Sequence, residues 1–125
     1  MKIILIASFT LLASLSGCAQ NGFKNIYVPE LEKLMQDKIV LVDVRTDAEY
    51  QEGHLDNAVH IDWYSASFME QMQQFDKATP VYLYCRSGSR SASAAQKLMD
   101  SGFRQVYSLQ GGILAWQNAQ KPVKK

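Results

Sequence analysis

Val81-Tyr82-Leu83-Tyr84-Cys85-Arg86-Ser87-Gly88-Ser89-Arg90-Ser91 is the stretch on which the reading turns. Four strand formers lead in, and the helix formers Ala92 to Met99 lead out. Cys85 therefore stands at the turn between a buried strand and the start of a helix. The turn carries a glycine, serines and the arginines Arg86 and Arg90. Such a turn can aim backbone N–H groups and positive charge at one anion-sized space. A thiol held there ionises more easily than a free one. The polar flanks argue for an accessible, reactive Cys85 rather than an inert core thiol.

Outward from this turn, strands and helices alternate. Ile26-Tyr27-Val28 reads as an edge strand. Pro29 with Glu30 and Glu32 opens a helix that runs to about Asp37. Ile39 to Val42 is a continuous apolar run, expected of a strand buried on both faces. Thr46 with Glu49 forms a capping-box pattern before a short helix ending at Glu52. Ala58 to Ile61 is a third strand, and Ser65 is placed to cap a helix whose inner face is Phe68, Met69, Met72 and Phe75. After the central turn, Ala92, Ala95, Leu98 and Met99 share one side of a helix that Gly102 ends. Val106 to Leu109 is the last strand, Gly111-Gly112 breaks it, and Ile113 to Ala119 is a final helix. This alternation implies an α/β fold: a small parallel sheet with helices on both faces. Ligands on such sheets bind beyond the carboxyl ends of the strands, where Cys85, Asp43-Val44-Arg45 and Asp62-Trp63-Tyr64 all fall.

The chain has 125 residues, is 47% hydrophobic and 20% charged, and carries a formal net charge of +1, which gives no support to a nucleic-acid-binding role. Its first part reads as a targeting segment. Lys2 precedes an apolar run from Ile3 to Ala13, too short to span a bilayer. Leu15-Ser16-Gly17-Cys18 resembles the lipobox of bacterial lipoproteins. The resemblance implies cleavage before Cys18, acylation of Cys18, and a domain lipid-anchored in the bacterial cell envelope, facing the periplasm. An ordinary signal peptide cut nearby, with Cys18 incidental, is the alternative. With Cys18 lipidated, Cys85 has no partner for a disulfide. The division expected is 1–17 signal peptide, 18–25 lipidated tether, 26–120 folded domain and 121–125 tail.

Three landmarks, in order, carry a further resemblance. They are Asp43-Val44-Arg45 with Glu49-Tyr50, Gly53-His54-Leu55 and Ala58; the loop Cys85 to Ser91; and Gly111-Gly112 with Trp116. Over residues 26–119 the chain resembles the rhodanese domain. Asp56-Asn57 departs from the pattern, because a glycine is common beside that alanine. The resemblance implies sulfurtransfer: Cys85 takes a sulfane sulfur from a donor such as thiosulfate, holds it as a persulfide, and passes it to a thiophilic acceptor. A protein acceptor is an open alternative, as is a non-catalytic module that only carries or binds. No cofactor is implied. Arg86 and Arg90 are expected to attract the donor, with Ser87, Gly88 and Ser89 lining the cradle and Ser91 adding a hydroxyl or a cap. Arg86 has a second reading, as a solvent-facing charge. Asp43 and Arg45 read as catalytic acids or anchors or, the plainer reading, as a strand-end ion pair or hydrogen-bond bracket holding neighbouring loops. His54 and His60 are too few and too isolated for a metal site. Trp63 and Tyr64 either rim the pocket or pack on the next helix. A cysteine phosphatase or arsenate reductase is the rival enzyme, but its loop is Cys-x5-Arg. Here Arg90 makes it one residue shorter.

Overall fold

A computed structural model describes residues 22–125. The expected targeting segment and Cys18 lie outside them. Five strands form one wholly parallel sheet: β1 (Lys24–Ile26), β2 (Val40–Asp43), β3 (Val59–His60), β4 (Val81–Tyr84) and β5 (Val106–Leu109), in the order β1-β5-β4-β2-β3. Between and after them run α1 (Val28–Leu34), α2 (Asp47–Glu52), α3 (Phe68–Met72), α4 (Ser89–Asp100) and α5 (Gly112–Asn118). Among the described residues no helix is long and apolar enough to cross a membrane.

The two faces follow from strand alternation. In β4, Val81 and Leu83 point with Cys85 into a core closed by Phe68 and Met72 of α3 and by Ala94, Ala95 and Leu98 of α4. Tyr82 and Tyr84 point the other way, against Leu31 of α1 and Ile113 and Trp116 of α5. Helices thus cover both faces. The strand order sets the site. From β2 the chain moves to one edge, to β3; from β4 it moves the other way, to β5. Loops that diverge in this way open a crevice at the carboxyl ends of β2 and β4. Cys85 and Asp43-Val44-Arg45 both stand there.

Several expected boundaries move. β1 begins at Lys24, and Val28 starts α1 instead of ending a strand. The reason is Pro29, which fixes a helical φ one position into α1. Ser65 does not cap α3. Its Oγ accepts from Ser67 N–H at 3.2 Å within a tight turn, and the helix starts only at Phe68. Ser89 and Arg90 belong to the first turn of α4, with Gly88 as N-cap, so the irregular loop is only Arg86 to Gly88. The inner side of α4 is Ser91, Ala94, Ala95 and Leu98; Ala92 and Met99 lie at its margin. Asn57 takes a left-handed φ of 61°, a conformation asparagine tolerates and glycine prefers. That explains how the turn before Ala58 closes without the glycine. Residues 121–125 fold back: His54 and Lys124 exchange backbone hydrogen bonds of 2.8 Å, and Trp116 Nε1 donates to Pro122 O.

At the end of β2 a buried ion pair ties the loops together. Asp43 Oδ2 accepts from Arg45 Nη2 at 2.7 Å and from Tyr84 Oη at 2.7 Å, while Oδ1 accepts from Arg45 N–H at 2.9 Å. Arg45 Nη2 also donates to Gly53 O, and Leu55 N–H donates to Tyr84 Oη. Burial, and then the Asp43 carboxylate, push the Tyr84 phenol well above its ordinary value, so it stays a donor. The bracket expected of Asp43 and Arg45 is therefore present. Asp43→Asn strands a buried guanidinium and should cost about 3–5 kcal/mol. Tyr84→Phe removes the donor to Asp43 and the acceptor of Leu55 N–H, and should cost about 2–3 kcal/mol. Urea unfolding of both variants checks this; equal small losses would count against the bracket.

Candidate active site

Cys85 is the free cysteine among the described residues and is 1% exposed. This corrects the expectation of an accessible thiol. The residue continues the inward row of β4, and α4 closes over it. The polarity of its neighbours in sequence misleads here, because in this turn the side chains of Arg86, Ser87 and Ser89 face outward while the amides face in. Gly88 N–H donates to Cys85 Sγ at 3.1 Å, and Ser91 Oγ lies 3.5 Å from the sulfur.

Two opposing effects act on the thiol. Burial pushes it up. The Ser91 hydroxyl and the N–H groups of Ser91, Gly88 and Ser87 pull it down, and together they win, leaving Cys85 below its ordinary value. A thiolate is thus stabilised by directed donors without solvent.

The start of the loop is fixed by α5. Ile113 N–H donates to Cys85 O at 2.9 Å, and Leu114 N–H to Arg86 O at 3.1 Å. These are first-turn donors that the helix itself cannot satisfy. With the Arg86 carbonyl drawn to α5, the N–H of the same peptide, that of Ser87, faces the sulfur, while the Gly88 and Ser91 amides are set by the Gly88 turn and the first turn of α4. The approach needs a bare backbone at Gly112, which takes φ +60°; a Cβ there would run into the carbonyl oxygens of Arg86 and Cys85. Gly88, the N-cap of α4, takes φ +106°, again a glycine conformation.

The expected anion ligands divide. Arg90 is committed: its Nη1 and Nη2 donate to Glu49 Oε1 and Oε2 at 2.7 and 2.9 Å, and its guanidinium lies 5.9 Å from the Tyr64 ring centre. Its hydrogen bonds to Glu49 hold it above its ordinary value, so it is always charged beside the sulfur. Arg90 organises the loops with its charge partly offset. Arg86 is exposed, and its side chain makes no hydrogen bond or ion pair among the described residues. The Ser87 and Ser89 hydroxyls are likewise exposed and without side-chain bonds there; Ser87 serves through its N–H. Of the pair whose role stayed open, Trp63 packs edge-on against Phe68 at 5.0 Å, while Tyr64 is 69% exposed beside Arg90. One packs and the other rims.

Glu49 and Ser108 join the site through contacts that the sequence does not show. In sequence Glu49 shows as a helix cap and as part of the Glu49-Tyr50 landmark, and it does cap: its carboxylate accepts from Thr46 N–H and Oγ1 while holding Arg90. Tyr50 stacks between His54 and His60, with ring centres 4.0 and 4.7 Å apart. Among the described residues no cluster of histidine, cysteine or carboxylates is placed to hold a metal. A groove lined by Met35, Ile39, Val59 and Trp116 opens at the amino ends of the strands, away from Cys85, and its lining holds neither cysteine nor serine.

Residues 19–119 match the family model described as the rhodanese-like domain. A thiosulfate sulfurtransferase GlpE of Coxiella burnetii is 40% identical over 96 residues, which span 76% of this chain and 88% of that one. The GlpE of Vibrio cholerae is 39% identical over 103 residues, 82% of this chain and 95% of its own. A crystal structure of a rhodanese-like domain protein from Staphylococcus aureus superposes with a TM-score of 0.71 at 28% identity, covering 82% of this chain and all of that one.

The Glu49–Arg90 pair has a pH signature. The Arg90 hydrogen bonds hold the Glu49 carboxyl at about 2, against an ordinary 4.5. Folding thus favours the ionised form. The contribution is complete above about pH 4.5 and is lost as pH falls toward 2. The stability difference between wild type and Glu49→Gln should therefore be constant near neutrality and shrink across that interval. A difference that does not change with pH in acid-urea titrations would contradict the pairing.

Proposed function

Because the chain belongs to the rhodanese-like family, we propose that it is a sulfurtransferase that uses a thiosulfate-type donor and carries the sulfur as a persulfide on Cys85. The supporting observation is the convergence of the Ser87, Gly88 and Ser91 amides and the Ser91 hydroxyl on one sulfur. Four donors around a single atom suit an anion one sulfur across. They suit the thiolate before reaction and the persulfide after it.

The first half-reaction is attack by the Cys85 thiolate on the outer sulfur of thiosulfate. A Cys85–sulfur bond forms, the sulfur–sulfur bond of the donor breaks, and sulfite departs with the bonding pair. In the second, a thiophilic acceptor such as cyanide or a small thiol attacks the terminal sulfur, and the Cys85 thiolate is regenerated. The two steps imply ping-pong kinetics. Arg86, exposed at the mouth, and Arg90, fixed beside it, supply positive potential for the incoming dianion. A phosphoryl-transfer reading has less support. The loop is short, α4 begins at Ser89, and Arg90 is held by Glu49 instead of facing the cradle.

Intact mass after incubation with thiosulfate tests the reading. The wild-type chain should gain one sulfur atom, lose it on adding cyanide, and gain nothing as Cys85→Ser. Thiosulfate turnover by Cys85→Ser at the wild-type rate would sink it.

The lipobox-like Leu15-Ser16-Gly17-Cys18 supports a second part of the proposal: the domain is held by lipid on Cys18 at a cell-envelope membrane, within reach of small donors or a protein acceptor in the periplasm. Cell fractionation checks it. The wild type should follow the membranes and Cys18→Ser should not; identical partitioning of the two would reject the anchor.

A further inference from the structure

Ser108 is a polar residue at a core position. It lies on β5, is 2% exposed, and faces α4 alongside Val106. Its Oγ lies 2.7 Å from Ser91 Oγ. Ser91 Oγ in turn lies 3.5 Å from Cys85 Sγ and 3.2 Å from Gly88 O. Two buried hydroxyls and a sulfur thus form a chain reaching from the middle of the sheet to the reacting atom.

Counting protons gives the chain a direction. Each hydroxyl has one proton to donate. Ser91 has three acceptors in reach: Ser108 Oγ, Gly88 O and Cys85 Sγ. Among the described residues Ser108 has one, Ser91 Oγ. If Ser91 donated to Ser108, the Ser108 proton would be buried without an acceptor, at a cost of about 1–3 kcal/mol. With Ser108 donating to Ser91 instead, every proton has an acceptor, and the Ser91 proton is released toward the active-site loop. There it chooses between Gly88 O, which already accepts from Ala92 N–H at 3.1 Å, and the sulfur. An anionic sulfur takes it, because hydrogen bonds to charged acceptors are the stronger ones.

We propose that Ser108 is a positioning residue of the sulfur site, whose hydroxyl holds Ser91 Oγ in place and commits the Ser91 proton to the anionic sulfur of Cys85. A hydroxyl that itself receives a proton is a better donor, since successive hydrogen bonds polarise one another. The role rests on Cys85 being the reactive atom, but it is exerted on the thiolate itself, before any sulfur donor arrives.

The experiment is the pH dependence of Cys85 alkylation by iodoacetamide in wild type, Ser108→Ala, Ser91→Ala, the double variant and Ser108→Thr, with unfolding midpoints measured in parallel. Ser108→Ala should move the profile to higher pH and slow alkylation on its acid side by about threefold, near the low end of what one hydrogen bond contributes. Ser108→Thr, which keeps the hydroxyl, should restore the profile even where packing lowers its midpoint. In the Ser91→Ala background the second substitution should change nothing. An equal slowing with and without Ser91, or an unmoved profile in a folded Ser108→Ala, overturns the proposal. Alkylation requires no sulfur donor. A wild-type chain that fails to take sulfur from thiosulfate therefore speaks against the proposed activity alone.

Discussion

Two hydrogen bonds from the first turn of α5 organise the site. Ile113 and Leu114 take the carbonyls of Cys85 and Arg86, which fixes the start of the short loop and turns the Ser87 N–H toward the sulfur. The exchange satisfies both sides. The helix loses two orphan donors and the loop loses two orphan acceptors. The constraint reaches back into the sequence at Gly112, where no side chain fits between α5 and the loop. A glycine pair that reads as a strand breaker is, in the folded chain, the contact that shapes the cradle.

The charges around this cradle do two different jobs. Asp43, Arg45 and Tyr84 are buried under the loops and face the α5 side of the sheet, opposite to Cys85. They hold the ends of β2 and β4 and the Gly53 turn in register. Glu49 and Arg90 lie nearer the surface and join the first turns of α2 and α4. This second pair keeps a permanent positive charge beside the sulfur while cancelling part of it. The cradle therefore relies on amides and a hydroxyl for its affinity, with the guanidinium as a fixed background. Such an arrangement suits a site that stabilises an anionic sulfur.

Burial of Cys85 fits the same logic. A thiol at the base of a loop is shielded from casual oxidation, and every donor near it is stronger for the lack of competing water. The lowered thiol and the 1% exposure are consistent with each other only because the donors are preorganised. Without them, burial alone would raise the thiol and silence it.

Much of this was legible in the chain. The alternation of apolar runs with capped helices determined a parallel α/β sheet. The position of Cys85 after Val81–Tyr84 determined that a thiol would stand at the carboxyl end of a central strand. Those properties are local or periodic, and periodicity survives in one dimension. Tertiary structure alone decided the rest: that Cys85 is buried, that Arg90 is spoken for by Glu49 across 41 positions, and that Ser91 meets Ser108 across 17. No window of sequence contains both partners of such contacts. The first peptides of the turn, too, are held by a helix which the chain does not reach until Gly112.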